Sequence, residues 1–174
     1  MSRMIKKGLP VVEGTKFARE GDKLIVSNGA NSVVVVLNGF VDVDTSNGLV
    51  FKSLEDKDTG MLGTTYVAVK NAMNDLKNGV VASLKMIGVG FKASVQGKFL
   101  RTYIGLSHDV CFAIPAGLTV SVANDTEITI KGFDRAKVMQ FAMAVRSMKK
   151  PEPYKGKGIF LNGERVIRKE GKKK

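Results

Sequence analysis

The sequence predicts an α+β chain of two similar domains, an internal duplication in which each half is a small, mostly antiparallel β-sheet covered by one α-helix, with a basic C-terminal extension. Three observations carry this reading. Short apolar runs with a two-residue period, divided by Gly and Asn turns, give way after Gly60 to apolar residues at i, i+3, i+4 and i+7. The same succession is then repeated from about residue 82. Positive charge collects at the end: eleven basic residues from Arg146 onward stand against Glu152, Glu164 and Glu170, a balance of +8 within a formal net charge of +12. The expected domains are residues 1–81 and 82–174, with the basic extension occupying about 149–174.

In the first half, Lys23–Val26 and Ser32–Leu37 are rich in β-branched residues, and SNGANS between them supplies turn residues that tolerate positive φ. Val41, Val43, Leu49 and Phe51 alternate around the turn SNG as a half-buried hairpin would. Val69, Ala72, Met73 and Leu76 form one helical stripe, which predicts a helix over Thr64–Lys77 ended by Asn78 and Gly79.

The second half opens with LKMIGVGFKASV, a Gln-Gly turn and KFLRTYIGL, read as a hairpin like the one around Gly21. Leu118, Val120, Val122, Ile128 and Ile130 keep the two-residue period, and Val138, Phe141, Ala142, Val145 and Met148 give a second helical stripe. Gly39 aligns with Gly117, and Leu49 with Ile128. The repeat is one of pattern rather than of matching letters.

At 174 residues the chain can bury roughly 70% of its unfolded surface without staples. Cys111 is the only cysteine and His108 the only histidine, which excludes an internal disulfide and the usual zinc ligand sets. The longest apolar run, Val33–Leu37, falls far short of the ~20 residues that span a bilayer, and the N-terminus shows no apolar signal core. A soluble, reducing, intracellular setting without a membrane partner or cofactor is the expectation.

Gly88–Ala93, GVGFKA, has the spacing of a dinucleotide fingerprint, but a strand rather than a helix follows it, so these glycines are read as a bulge or a close backbone approach. His108 has no nearby orienting carboxylate, because Asp109 is its immediate neighbour in the chain; it is read as a turn or surface residue. Cys111 is expected to be a small buried hydrophobe, and Met73, Met139, Met143 and Met148 to be gap fillers in the core.

The basic extension differs from a merely solvated charge run. Pro151 and Pro153 stop the preceding helix and fix an extended path. Lys155, Gly156, Lys157 and Gly158 alternate charge with glycine, which lets amides and ammonium groups approach phosphates. Tyr154 and Phe160 can stack or anchor. A polyanion is the natural partner, and six phosphate contacts would make binding fall roughly a thousandfold between 50 and 200 mM salt.

KPEPYKGKGI at Lys150–Ile159 followed by GERVIRKEGK at Gly163–Lys172 resembles the C-terminal signature of bacterial and organellar ribosomal protein six of the large subunit. SRMIKKGLP near the start, GTT at Gly63–Thr65, GVGFKA, and SHDV at Ser107–Val110 extend the resemblance over nearly the whole chain. Ile5, Gly8 and Val12 depart from a Gly and two prolines usual there; Leu62 and Tyr66 stand where His and Arg are common, and Ile167 takes the first place of the usual ArgArgLysGlu.

The resemblance implies a two-domain structural protein without catalysis. It implies that the C-terminal domain binds large-subunit ribosomal RNA near the sarcin-ricin loop, in a bacterial or organellar ribosome, beside proteins of the stalk base where translational GTPases dock. Carried over by position, the RNA contacts are Lys149, Lys150, Tyr154, Lys155, Gly156, Lys157 and Gly158 in one loop, and Arg165, Arg168, Lys169 and Lys172 in the next. Lys85, Lys92 and His108 support them. The competing readings are an RNA-modifying enzyme that uses the basic segment as a docking arm, and a polybasic membrane-surface binder.

Overall fold

The computed structural model of the chain describes Leu9 and residues 14–29, 31–37, 41–44, 49–53 and 59–171. Arg3, Lys6, Lys7, Gly39, the SNG turn and Lys172–Lys174 lie outside the described residues. The chain divides into two compact units, Met1–Gly79 and Val80–Lys174, each with its own apolar core.

In the first unit, β1 (Thr15–Glu20), β2 (Lys23–Asn28) and β3 (Asn31–Val36) form an antiparallel sheet, and β4 (Val41–Asp44) pairs with β5 (Val50–Ser53). The two-residue period places Leu24, Val26, Val33 and Val35 in the core. Helix α1 spans Thr59–Asn78, five residues longer at its start than the stripe from Val69 predicts, because Leu62 and Tyr66 extend that stripe by a further turn. Both residues are buried, and the Tyr66 ring meets Phe51 edge-on at 5.6 Å. Positions 62 and 66 therefore serve core packing. Gly79 closes the helix at φ +72°, donating its amide to the Asp75 carbonyl at 2.8 Å.

In the second unit, β6 (Val80–Ile87) starts where the first unit ends, and Val80 already packs in the second core. β7 (Lys92–Gln96), β8 (Phe99–Tyr103) and β9 (Val110–Ala113) form one antiparallel sheet. β10 (Leu118–Ala123), β11 (Glu127–Gly132), β6 and β12 (Gly158–Leu161) form another, in the order β10-β11-β6-β12. Helix α2 (Arg135–Met148) covers the latter, capped by Asp134, whose carboxylate accepts the Ala136 amide at 2.9 Å and the Lys137 amide at 3.3 Å. Val138, Phe141, Ala142 and Val145 face Ala82, Leu84, Ile128, Ile130 and Ile159 in one core.

The duplication is visible in the turns. Gly21 (φ +57°) opens the turn between β1 and β2, and Gly97 (φ +61°) the turn between β7 and β8. Residues just past the third strand return to the same place in each copy: the Leu37 amide donates to the Asp22 carbonyl at 2.6 Å, and the Ile114 amide to the Lys98 carbonyl at 2.8 Å.

Four expectations are corrected. LKMIGVGFKASV is not one strand: Gly88–Gly90 turn the chain from β6 into β7, which belongs to a different sheet. Gly88 does mark a close approach, since a Cβ there would lie 2.8 Å from the Phe91 ring, whereas Gly90 has nothing within 4 Å and serves the turn by its φ of +76°. Cys111 is exposed, because Val110 and Phe112 take the inward side of β9. Met148 is 45% exposed and Met143 is also exposed, whereas Met73 is buried and Met139 half-buried. The stripe of α2 ends at Val145 because the chain leaves the helix at Lys149, whose backbone is no longer helical (φ −144°, ψ 84°).

Candidate nucleic-acid interface

Charge is unevenly divided between the units. Residues 1–79 carry ten basic and nine acidic residues, a balance of +1; residues 80–174 carry eighteen and seven, a balance of +11. Residues 149–157 carry +3 of that balance and residues 162–174 carry +4, on segments that precede and follow β12 in the chain.

The first loop, Lys149–Lys157, is closed by backbone. The Ile159 amide donates to the Lys149 carbonyl at 2.9 Å, and the Glu152 amide to the Lys157 carbonyl at 2.8 Å. Its tip is a turn at Pro153–Lys155 that presents Tyr154, 54% exposed, and Lys155 to solvent. Gly158 makes the closure possible: at φ +146°, its place for a Cβ lies 2.6 Å from the Pro151 Cα and 2.8 Å from the Lys150 carbonyl oxygen. Strand β12 then pairs with β6, Gly158 opposite Ile87 and Phe160 opposite Lys85, and Ile159 is fully buried. The basic segment is thus built into the sheet of the second unit.

The second loop starts at Asn162 and Gly163, both with positive φ. Asn162 fastens it to β6: its amide donates to the Ser83 carbonyl and its side-chain Oδ1 accepts the Ser83 amide, each at 2.8 Å. Glu164 receives the Arg146 guanidinium as a fork, Nε to Oε2 at 2.7 Å and Nη2 to Oε1. That bond raises the Arg146 pKa and lowers the Glu164 pKa, with partial burial opposing each shift.

Two contacts bring the loops onto one surface. The Lys169 amide donates to the Pro153 carbonyl at 2.8 Å, and the Arg168 guanidinium lies over Gly156, where a Cβ would be 3.1 Å from Nη2. Tyr154, Lys155, Gly156, Arg168 and Lys169 are therefore gathered. Lys150, Lys157 and Arg165 flank them as exposed cations and Lys149 is half-buried, while Gly158 is buried where the first loop closes. Lys85 joins the same side, lining an open groove of about 420 Å³ with Phe160, Glu164 and Arg168, and pairing with Glu127 at 3.2 Å.

Lys92 and His108 sit elsewhere. Lys92 starts β7 opposite Tyr103, and His108 lies on the exposed loop between β8 and β9. Beside it Asp109 is engaged by Arg101 at 2.9 Å, which leaves that carboxylate serving an ion pair rather than the imidazole. Among the described residues, no group of three or more His, Cys, Asp or Glu could hold a metal, and no helix is long and apolar enough to cross a membrane.

Ser83, Arg146, Asn162 and Glu164 were not singled out from the sequence as parts of this surface. The Asn162-Gly163 dipeptide was a usable turn signal. The Arg146–Glu164 pairing has none, since eighteen residues separate the two.

The family described as Ribosomal protein L6 matches residues 87–160, from the end of β6 into β12. Large ribosomal subunit protein uL6 of Sinorhizobium fredii is 39% identical over the full length of both chains. The chain belongs to the ribosomal protein L6 family. Its uL6 relatives from Alcanivorax borkumensis and a Bradyrhizobium species are 38% and 37% identical, again over the whole of both chains. Loops 149–157 and 162–171 thus both lie within the span shared with uL6 proteins, although the L6 match itself stops at Phe160.

Proposed function

We propose that the chain is a structural constituent of the large ribosomal subunit and that its second unit binds large-subunit ribosomal RNA through the paired loops on β12. The full-length likeness to proteins named large ribosomal subunit protein uL6 carries this reading. Their name is that of a ribosomal component rather than an enzyme, so the RNA-modifying alternative is set aside. The +11 balance of the second unit and the near-neutral first unit support an RNA-facing second half. Tyr154 at the loop tip offers a stacking ring and Lys155, Lys157, Arg165, Arg168 and Lys169 offer phosphate contacts, while Gly156 and Gly158, both buried, serve the set by letting the loops close on each other. Lys149, Lys150, Lys172, Lys85, Lys92 and His108 complete the proposed contact set.

The finer placement, near the sarcin-ricin loop and the base of the stalk, with neighbouring large-subunit proteins and translational GTPases close by, rests on the family resemblance. Co-sedimentation with large subunits at physiological salt is the expected result on a sucrose gradient; a chain that stays in the free pool sinks the proposal. Reversing Lys155 and Lys157 together, which are exposed and outside the contacts that join the loops, should weaken RNA binding at unchanged melting temperature. An equal loss of thermal stability would assign those side chains to the fold instead.

A further inference from the structure

Glu164 is out of place on an RNA-facing surface. It stands between Gly163 and Arg165 at the root of the second basic loop, where a carboxylate repels phosphate. The structure engages it fully with Arg146, in the last turn of α2, through a two-pronged fork whose side chains are only 19% and 31% exposed. A planar guanidinium gripping both oxygens of a carboxylate fixes direction as well as distance.

What the fork holds is the path of the loop. Asn162 fastens its start to Ser83 on β6, and the Lys169 amide fastens its end to Pro153 in the first loop. Glu164 lies between these anchors and ties the intervening run to a third element, α2. Arg165 and Arg168 are exposed on that run. Ordering a long cationic side chain and its backbone at the moment of binding lowers affinity, whereas holding the backbone beforehand removes that cost.

We infer that Arg146 and Glu164 are a positioning pair, which fixes residues 163–168 in the free protein so that Arg165 and Arg168 meet RNA already aligned. This rests on the RNA-binding reading above. Arg146 is therefore not one of the phosphate contacts, although it is one of the eleven cations that mark the segment.

The sign of one substitution separates this from simple electrostatics. Glu164→Gln deletes a negative charge beside the RNA. If Glu164 only repels phosphate, binding tightens; if it positions the loop, binding weakens. The expected result, for the full chain against a transcript of the complete large-subunit RNA, is about tenfold weaker binding. The slope of log affinity against log salt should stay unchanged, since no phosphate contact is lost. Arg146→Lys, which keeps the charge and loses the fork, should behave in the same way. Lys155→Gln is the contrasting control, and its slope should fall by about 0.7 to 0.9.

A second readout needs no RNA. Heteronuclear NOEs of residues 163–168 in the free protein should drop in Glu164→Gln while those of α2 and β6 hold. Binding that is equal or tighter in Glu164→Gln, or NOEs that do not change, overturns the positioning role. A wild-type chain that fails to bind the RNA overturns the RNA reading itself, and the NOEs then still report whether the fork orders the loop.

Discussion

Gly158→Ala is the sharpest test of how the basic segment is built. The added Cβ would stand 2.6 Å from the Pro151 Cα, where ordinary contact begins near 3.4 Å, and 2.8 Å from both the Lys150 carbonyl oxygen and the Pro151 nitrogen. All three are backbone atoms held by the Ile159 and Glu152 hydrogen bonds, so no side chain can swing away. A φ of +146° adds about 1 to 3 kcal/mol of backbone strain for a residue with a Cβ, and overpacking adds about 1 to 3 kcal/mol more. Releasing the loop instead gives up two backbone hydrogen bonds, about 1 kcal/mol each, and regains chain entropy. Release is the cheaper response. Gly158→Ala should therefore cost no more than about 2 kcal/mol in denaturant unfolding, speed tryptic cleavage after Lys155 and Lys157, and weaken RNA binding. Gly163→Ala is the control: its φ of +73° carries strain of about 1 kcal/mol, and nothing lies within 4 Å of its Cβ position. Equal destabilisation of the two variants, with equal cleavage rates, would refute the close approach at Pro151.

Phe141→Ala should cost about 3 to 5 kcal/mol, because the ring is buried in the second core and meets Phe112 edge-on at 6.3 Å; a near-zero change in unfolding free energy would show that the helix face is wrong. Met148→Gln should leave stability within about 0.5 kcal/mol by the same measurement, since Met148 lies outside the packed stripe. Cys111 should react with an aromatic disulfide reagent in the native protein at the rate of a free thiol, because it points outward from β9. Glu164 has its pKa lowered by Arg146, so the stability of the fork, roughly 1 kcal/mol, is present above the ordinary glutamate value of 4.5 and is lost as pH falls through the lowered value. The unfolding difference between wild type and Glu164→Gln should therefore shrink on acidification from pH 7; a difference that grows would contradict the pairing.

Much of the architecture was legible because it is written in periods. The alternation of Leu118, Val120 and Val122, and the stripe of Val138, Phe141, Ala142 and Val145, depend only on which side of a strand or helix a residue takes. Periodicity does not say which sheet a strand joins. The buried residues shift from even positions, Leu84 and Met86, to odd ones, Phe91 and Ala93, across Gly88–Gly90, and such a slip reads as a bulge within one strand as readily as a turn into another sheet. Cys111 and Met148 failed for a related reason: one lies on the outward side of its strand, and the other extends a stripe past the point where the helix has anything to cover.

The candidate site was legible as composition and illegible as geometry, and Ile159 shows why. In the sequence it is one apolar residue in a run of lysines and glycines; in the fold it is fully buried and makes β12 an edge strand beside β6. Burying it contributes about 1.5 to 3 kcal/mol, enough to offset much of the mutual repulsion of the cations on either side. A tail without that strand would spread its charges and bind any polyanion weakly. With it, two loops emerge from the ends of a four-residue strand and are tied together at Pro153 and Lys169, so the cations are fixed in relation to the tyrosine at the tip. The same lysines protect the strand, because a short edge flanked by like charges is a poor template for a second chain. Under the RNA-binding proposal, one set of residues would thus serve solubility before assembly and register after it.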